Sequence, residues 1–237
     1  MQLMNSYFVD YRISNDELFN LKKLNVNIVK CPKCSMVYDA INGHPDILIN
    51  LIKKNEIVVH RDMEEGFLEY LKILGYKIIL SKKSLENKYP KNIILNAVNF
   101  SDYFIHNLKY TDENLINVQN RGNIINVNQG YSKCSCAVLS SNALITSDNS
   151  IHKALQGTDI DVLLIPPGDI LLPGLDYGFI GGCCGLIDCN KLAFFGDLDF
   201  YYYGSEVLSF LKKHDIEPIY LRHGKLIDRG SLLGYIV

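Results

Sequence analysis

A histidine and an aspartate stand two apart in Gly43-His44-Pro45-Asp46, just ahead of the apolar run Ile47 to Leu51. Imidazole is the side chain whose ordinary pKa suits general acid–base work near neutrality. Pro45 biases His44 toward an extended conformation at the strand entry. Asp46 either orients that ring or serves only as a turn residue. Ninety residues further on, Gly130-Tyr131-Ser132-Lys133-Cys134-Ser135 leads into another apolar strand. A thiol becomes a nucleophile as its thiolate, which a neighbouring cation favours. Lys133 supplies that cation if the two side chains converge, although neighbours on a strand point to opposite faces. Otherwise Cys134 is a small buried apolar residue. Cys183 follows Gly181 and Gly182, where glycine permits positive φ or a close backbone approach, so that turn is a candidate pocket wall.

Metal is the rival use of the thiols. Cys31-Pro32-Lys33-Cys34 has C-x-x-C spacing and Cys134-Ser135-Cys136 offers a second pair. A four-thiolate zinc site usually draws on two C-x-x-C pairs, so the reading is no metal. A redox role needs a helix N-terminus after the first cysteine, and strand residues surround Cys31. No phosphate, dinucleotide or hydrolase motif is present, so no cofactor is expected. Among the loops, Ile165-Pro166-Pro167-Gly168-Asp169 leaves a strand and runs on to Asp176, while Asp39 lies in the loop before Gly43. Loops at strand exits are natural ligand contacts, and solvated turns are the plain alternative.

These residues need a scaffold, and composition bounds it. The chain has 237 residues, with 24 basic against 26 acidic side chains and a net charge of -2, so nucleic acid is not an expected partner. Apolar residues at 48% and charged residues at 21% are those of a globular protein. The seven cysteines are odd in number, which excludes complete disulfide pairing. The first residues lack a basic segment followed by an apolar run, and no stretch reaches the roughly 18 apolar residues of a membrane span. A cytoplasmic protein with reduced thiols and no membrane partner is expected; a small-molecule ligand is the partner to look for.

The elements repeat. Paired apolar runs, a helical segment and a further apolar run recur about five times. Strands are expected at Ile47 to Leu51, Ile57 to His60 and Lys77 to Leu80, around a helix from Glu64 to Leu74. The next unit has Ile93 to Val98, Tyr103 to His106, a helix after Asp112, and Ile124 to Val127. Ala137 to Leu139, Leu144 to Thr146, a helix from Asn149 to Leu155 and Val162 to Ile165 follow. Phe179 to Ile187, Leu192 to Phe195, a helix from Ser205 to His214 and Pro218 to Leu221 make the last full unit. The chain starts with an incomplete unit: a strand Ser6 to Tyr11, a helix Asp16 to Leu24 and a strand Val26 to Val29. Leu232 to Val237 is the strand that would complete it. CSCAVLSSNALITSD from Cys134 aligns without a gap on CCGLIDCNKLAFFGD from Cys183, placing Asp148 on Asp197. Asp62 ends the same strand pattern and Asn107 holds the place in the third unit, each a short polar residue suited to cap a helix. Units of this kind bury their faces only by closing into a ring, a single domain over residues 1–237 clasped by its last strand.

Such a ring of ββαβ units resembles the pentein, or guanidino-group-modifying enzyme, superfamily, a pseudo-fivefold α/β propeller. The superfamily includes hydrolases, deiminases and amidinotransferases as well as non-catalytic members. The resemblance implies a Cys nucleophile, a His acid/base and carboxylates that grip a guanidinium, gathered at one mouth of the axis. Two placements are open. In the usual unit order the nucleophile falls in the C-terminal turn, where Asp228-Arg229-Gly230-Ser231 has no cysteine and Ser231 no sequence-adjacent base. Alternatively, Gly43-His44-Pro45-Asp46 matches the catalytic-histidine entry of agmatine deiminases and the turn before Cys134 matches the nucleophile turn. This second placement implies His44 and Cys134 as catalytic, with Asp46, Asp39, Asp169 and Asp176 as candidate cation partners and Gly182 and Cys183 as pocket walls. A non-catalytic pentein that binds a ligand or partner is the alternative.

Overall fold

The computed structural model describes residues 6–119 and 121–235. Five three-stranded sheets account for its strands. The first contains β1 (Ser6–Asp10) and β2 (Asn27–Cys31), joined by α1 (Asn15–Lys22). After α2 (Pro45–Leu48), the second is formed by β3 (Ile49–Lys53), β4 (Glu56–Val59) and β5 (Lys77–Leu80), with α3 (Glu65–Ile73) as crossover. The third has β6 (Val98–Phe100), β7 (Tyr103–His106), α4 (Glu113–Asn117) and β8 (Asn123–Asn126). The fourth has β9 (Cys136–Ser140), β10 (Ala143–Thr146), α5 (Asn149–Leu155) and β11 (Asp161–Leu164). The fifth has β12 (Cys184–Asp188), β13 (Lys191–Phe194), α6 (Gly204–Lys213) and β14 (Glu217–Tyr220). In each full sheet the middle strand pairs antiparallel with the first and parallel with the third. β15 (Leu233–Gly234) supplies the first strand that the N-terminal unit lacks, lying antiparallel to β1 with Tyr7 opposite Gly234.

Middle strands are buried on both faces, as in Ile57-Val58-Val59 and Leu192-Ala193-Phe194. Their apolar continuity follows from that position, between a helix and the rest of the ring. Each crossover helix presents one apolar stripe inward, Phe67 and Leu71 on α3, Val207 and Leu211 on α6. The third strands of the four full sheets, β5, β8, β11 and β14, bury none of their residues, whereas β2 buries Val29 and Cys31. Helix starts are locally encoded. Ser14 and Glu17 form a reciprocal capping box on α1, the Ser14 N–H donating to Glu17 Oε2 at 2.7 Å. Asp148 caps α5 by accepting from Ser150 N at 2.8 Å and Ile151 N at 3.0 Å.

Several sequence expectations shift near the axis. The first strand of the second sheet starts at Ile49, because Pro45 at the first helical position begins α2 and holds Ile47 and Leu48 in a helical turn. Residues 93–97 form no strand, and β6 begins only at Val98; Asn96 N–H donates to Ile93 O at 2.9 Å, folding the segment back. Before β12 lies a 3-10 turn, Ile180–Cys183, in place of an extended start at Phe179. Asp62 and Asn107 cap no helix: α3 starts after Glu64, and Asp112 caps α4. The last two residues of the expected C-terminal strand, 236 and 237, lie outside the described residues.

Candidate functional site

The segments just before β3, β6, β9, β12 and β15 are hydrogen-bonded into a ring. Asn96 Nδ2 donates to Asp46 O at 2.8 Å, and Lys133 N–H to Asn96 O at 3.1 Å. Gly182 N–H donates to Cys134 O at 3.0 Å, Ser231 N–H to Gly182 O at 2.8 Å, and Asp46 N–H to Gly230 O at 3.2 Å, which closes the circuit. Every inner strand thus begins at the axis, and polar groups of five distant segments, backbone or side chain, meet there. This is why α2 and the turns before β6 and β12 are irregular: their backbone bonds run around the axis rather than along a sheet.

His44, at the N-cap of α2, is 1% exposed. Its Nδ1 lies 3.7 Å from Asp228 Oδ1 and its Nε2 lies 3.9 Å from Asp10 Oδ2. Burial pushes the imidazole pKa down, opposed by the two carboxylates. Cys134 Sγ donates to Asp46 Oδ2 at 3.2 Å and accepts from Asn96 Nδ2 at 3.2 Å. Its thiol pKa is pushed well up, first by burial and then by the charges of Asp46 and Asp228. Lys133 does not relieve this; its Nζ turns instead to Ser231 Oγ at 3.0 Å. Ser231 thus stands beside Lys133, and its hydroxyl faces Asp46 Oδ2 at 2.7 Å and Gly181 O at 2.8 Å.

Three carboxylates are buried here. Asp10 is neutralised by Arg12, whose Nε donates to both of its oxygens at 2.9 and 3.1 Å. Neither Asp46 nor Asp228 has a Lys or Arg salt-bridge partner among the described residues. Burial raises the pKa of both, opposed by Lys133 at Asp46 and by His44 at Asp228. Asp228 also accepts the backbone N–H groups of Phe179 and Gly230, each at 2.9 Å. Two glycines make room for this packing. A Cβ on Gly182 would stand 2.1 Å from Asp228 Oδ1, and one on Gly230, at φ +69°, 2.2 Å from His44 Cβ. Tyr38 and Tyr131 stand hydroxyl to hydroxyl at 3.1 Å, with Phe179 stacked on Tyr131, and burial raises the pKa of both tyrosines.

The structure thus gathers His44, Asp46, Cys134 and the Gly182 backbone. Cys183 is buried at the same turn but donates its thiol to Ile180 O at 3.0 Å. The other loop candidates lie elsewhere. Asp39 has its carboxylate at the surface, accepting from Asn42 Nδ2 at 2.9 Å, while its carbonyl accepts from Arg12 Nη1 at 2.6 Å. Asp169 pairs with Lys225 at 2.6 Å on the surface, and Asp176 is exposed. Sequence reading passed over Asp10, Asn96 and Asp228. Asp228 carried the one available signal, its position three residues before Ser231 in the turn entering the closing strand. Among the described residues no three His, Cys, Asp or Glu side chains are grouped so as to hold a metal ion.

Comparison with solved structures supports the same architecture. SxtG, an amidinotransferase from Microseira wollei in the saxitoxin biosynthetic pathway, is 12% identical with a TM-score of 0.51, over 92% of this chain and 88% of that one. DDAH from Pseudomonas aeruginosa, as a cysteine-to-serine mutant complexed with citrulline, is 11% identical with a TM-score of 0.55, over 92% and 91%. Inosamine-phosphate amidinotransferase StrB1 from Streptomyces griseus is 12% identical with a TM-score of 0.56, over 88% and 74%. No curated protein matches in sequence. At these identities the likeness is one of fold, the pseudo-fivefold pentein arrangement of ββαβ units. A family model matches residues 8–233, nearly the whole ring, and the chain belongs to the family it describes, the Family of unknown function (DUF6873).

Proposed function

We propose that the protein binds a small guanidino or amidine compound at the axis and transforms it with Cys134 as nucleophile. The observation that carries this is the pair of buried carboxylates, Asp46 and Asp228, without Lys or Arg salt bridges and flanking a thiol and an imidazole. A buried carboxylate without a counter-charge is costly, and a planar cation with several N–H donors would neutralise both. The resting thiol is protonated, so the incoming cation is itself part of the activation. Its charge offsets that of the carboxylates and lowers the thiol pKa. Sγ then bonds to the guanidinium carbon, the C–N bond breaks, and the leaving amine takes a proton from His44, replenished by the one the thiol gave up through Asp46. Water next adds to the thiouronium carbon and the C–S bond breaks. That releases a urea-type product and the thiol, with the surplus proton going to the amine.

Seven free thiols suit a reducing, cytoplasmic setting, and no described helix is long and apolar enough to cross a membrane. Binding without turnover is the second reading, favoured by the raised thiol pKa and by Ser231 in the closing turn. Treatment with 2-chloroacetamidine separates them. The enzyme reading expects labelling confined to Cys134 and suppressed in His44→Gln. Equal labelling of several cysteines would overturn it. An unlabelled Cys134 together with calorimetric binding of agmatine or arginine would establish the binding reading.

A further inference from the structure

We propose a second ligand site on the same axis, beyond the His44 cluster, that takes a small carboxylate with an apolar body. A cavity of about 530 Å³ runs along the inner strands. It is lined by residues that follow the ring segments in sequence: Leu51 after Asp46, Phe100 after Asn96, Val138 after Cys134, Leu186 after Gly182 and Leu233 after Ser231. The cavity therefore lies farther along the strands than the candidate catalytic cluster. Lys133, which belongs to the ring and lines the cavity as well, stands between the two. The volume falls in the range of small-molecule sites, which combine apolar walls with a few placed polar groups.

Charge selects the occupant. Of the residues lining the cavity, Lys133 and Arg121 are the charged ones, and no Asp or Glu contributes. This is the reverse of the His44 cluster, where carboxylates dominate. Asn99 also lines the wall; its amide donates to Asn50 Oδ1, while its own buried Oδ1 has no hydrogen-bond partner. Lys133 donates to Ser231 Oγ and Arg121 to the carbonyls of Ser101 and Ile52, so neither cation has a salt-bridge partner among the described residues. An anionic head would supply the counter-charge, with an apolar body along Leu51, Val138 and Leu186 and a donor facing Asn99 Oδ1. Lys133 also holds Ser231, which contacts Asp46, which in turn accepts from Cys134, so three hydrogen bonds link the cavity's lysine to the thiol.

Isothermal titration of the full chain with octanoate, 1-octanol and octylamine tests this without reference to turnover or to Cys134 labelling. Octanoate is expected to bind saturably at one site and at least about tenfold tighter than octanol, the equivalent of one charge-assisted hydrogen bond. Octylamine should not compete. Arg121→Ala, at the half-exposed rim, should weaken octanoate about tenfold and leave octanol unchanged. Val138→Trp, checked for folding by circular dichroism, should abolish both by filling the space. Octanol binding as tightly as octanoate, octanoate binding unaltered by Val138→Trp, or no binding of octanoate would each overturn the proposal.

Discussion

Asp228 illustrates how a single side chain takes on meaning from its surroundings. In sequence it is one aspartate before an arginine in a C-terminal turn. Folded, it is buried, accepts two backbone N–H groups and faces His44. Replacing it with alanine leaves both buried donors without partners, at about 1–3 kcal/mol each. Asp228→Ala is therefore expected to lower the urea midpoint strongly, and Asp228→Asn, which retains one acceptor, less so. The raised pKa of Asp46 and Asp228 also sets the pH dependence of cation binding under the proposed function. Below that raised pKa the empty site holds a proton that a cation must displace. Affinity for agmatine should then rise with pH until the carboxylates ionise unaided, and calorimetry in buffers of different ionisation enthalpy should register the released proton. Affinity that falls with rising pH would contradict the assignment of those carboxylates.

At the scale of elements, the ring of turns before the inner strands is the organising feature. Asn96 is its most connected side chain, bonding Asp46 O, Cys134 Sγ and the N–H groups of Lys133 and Cys134. Asn96→Ala should cost about 2–4 kcal/mol, since buried donors and acceptors lose their partners together. Urea unfolding measures it, and a loss below 1 kcal/mol would mean that the ring closes without this amide. By contrast, Asp148→Ala removes only a helix cap, and a loss of about 1 kcal/mol is expected. Gly182→Ala drives a Cβ against Asp228 Oδ1, so its damage should fall on the site, with reduced cation binding accompanying a loss of about 1–3 kcal/mol.

Across the whole molecule, buried histidines set the response to acid. His106 is enclosed, its Nε2 facing Gly130 O at 2.9 Å and its Nδ1 facing Thr111 Oγ1 at 2.7 Å, and burial takes its pKa down to about 4. His60 is likewise held down to about 4 by burial. The unfolded chain accepts these protons near the ordinary histidine pKa of about 6.5, whereas the fold refuses them until about pH 4. Their contribution is complete above about pH 6.5 and is lost as pH falls toward 4. Asp46 and Asp228 act in the opposite sense. With pKa values above the unfolded ones, they destabilise the fold once ionised and cease to do so on acidification. The comparison of slopes isolates the histidine effect: His106→Gln should show a shallower fall in urea midpoint between about pH 6.5 and about pH 5 than the parent chain.

Much of the ring was legible in the residues themselves. β5 and β7 occupy the expected spans, α5 begins and ends where its pattern does, and the closing strand meets β1, because period-2 and period-3.6 burial and local caps are short-range properties. The gap-free match of Cys134 on Cys183 misses the structural equivalence by one residue: Cys134 O accepts from Gly182 N–H as Gly182 O accepts from Ser231 N–H, so Cys134 stands where Gly182 does. Of the carboxylates at the axis, only Asp46 was legible. Asp39, Asp169 and Asp176 sit in loops as plausible as any, yet they point to the surface or to Lys225, while Asp10 and Asp228 converge on His44. Local pattern decides what a segment forms, because its hydrogen bonds and burial period repeat within a few residues. The company a side chain keeps at the axis depends on five segments closing a ring, and that contact exists only once the whole chain has folded.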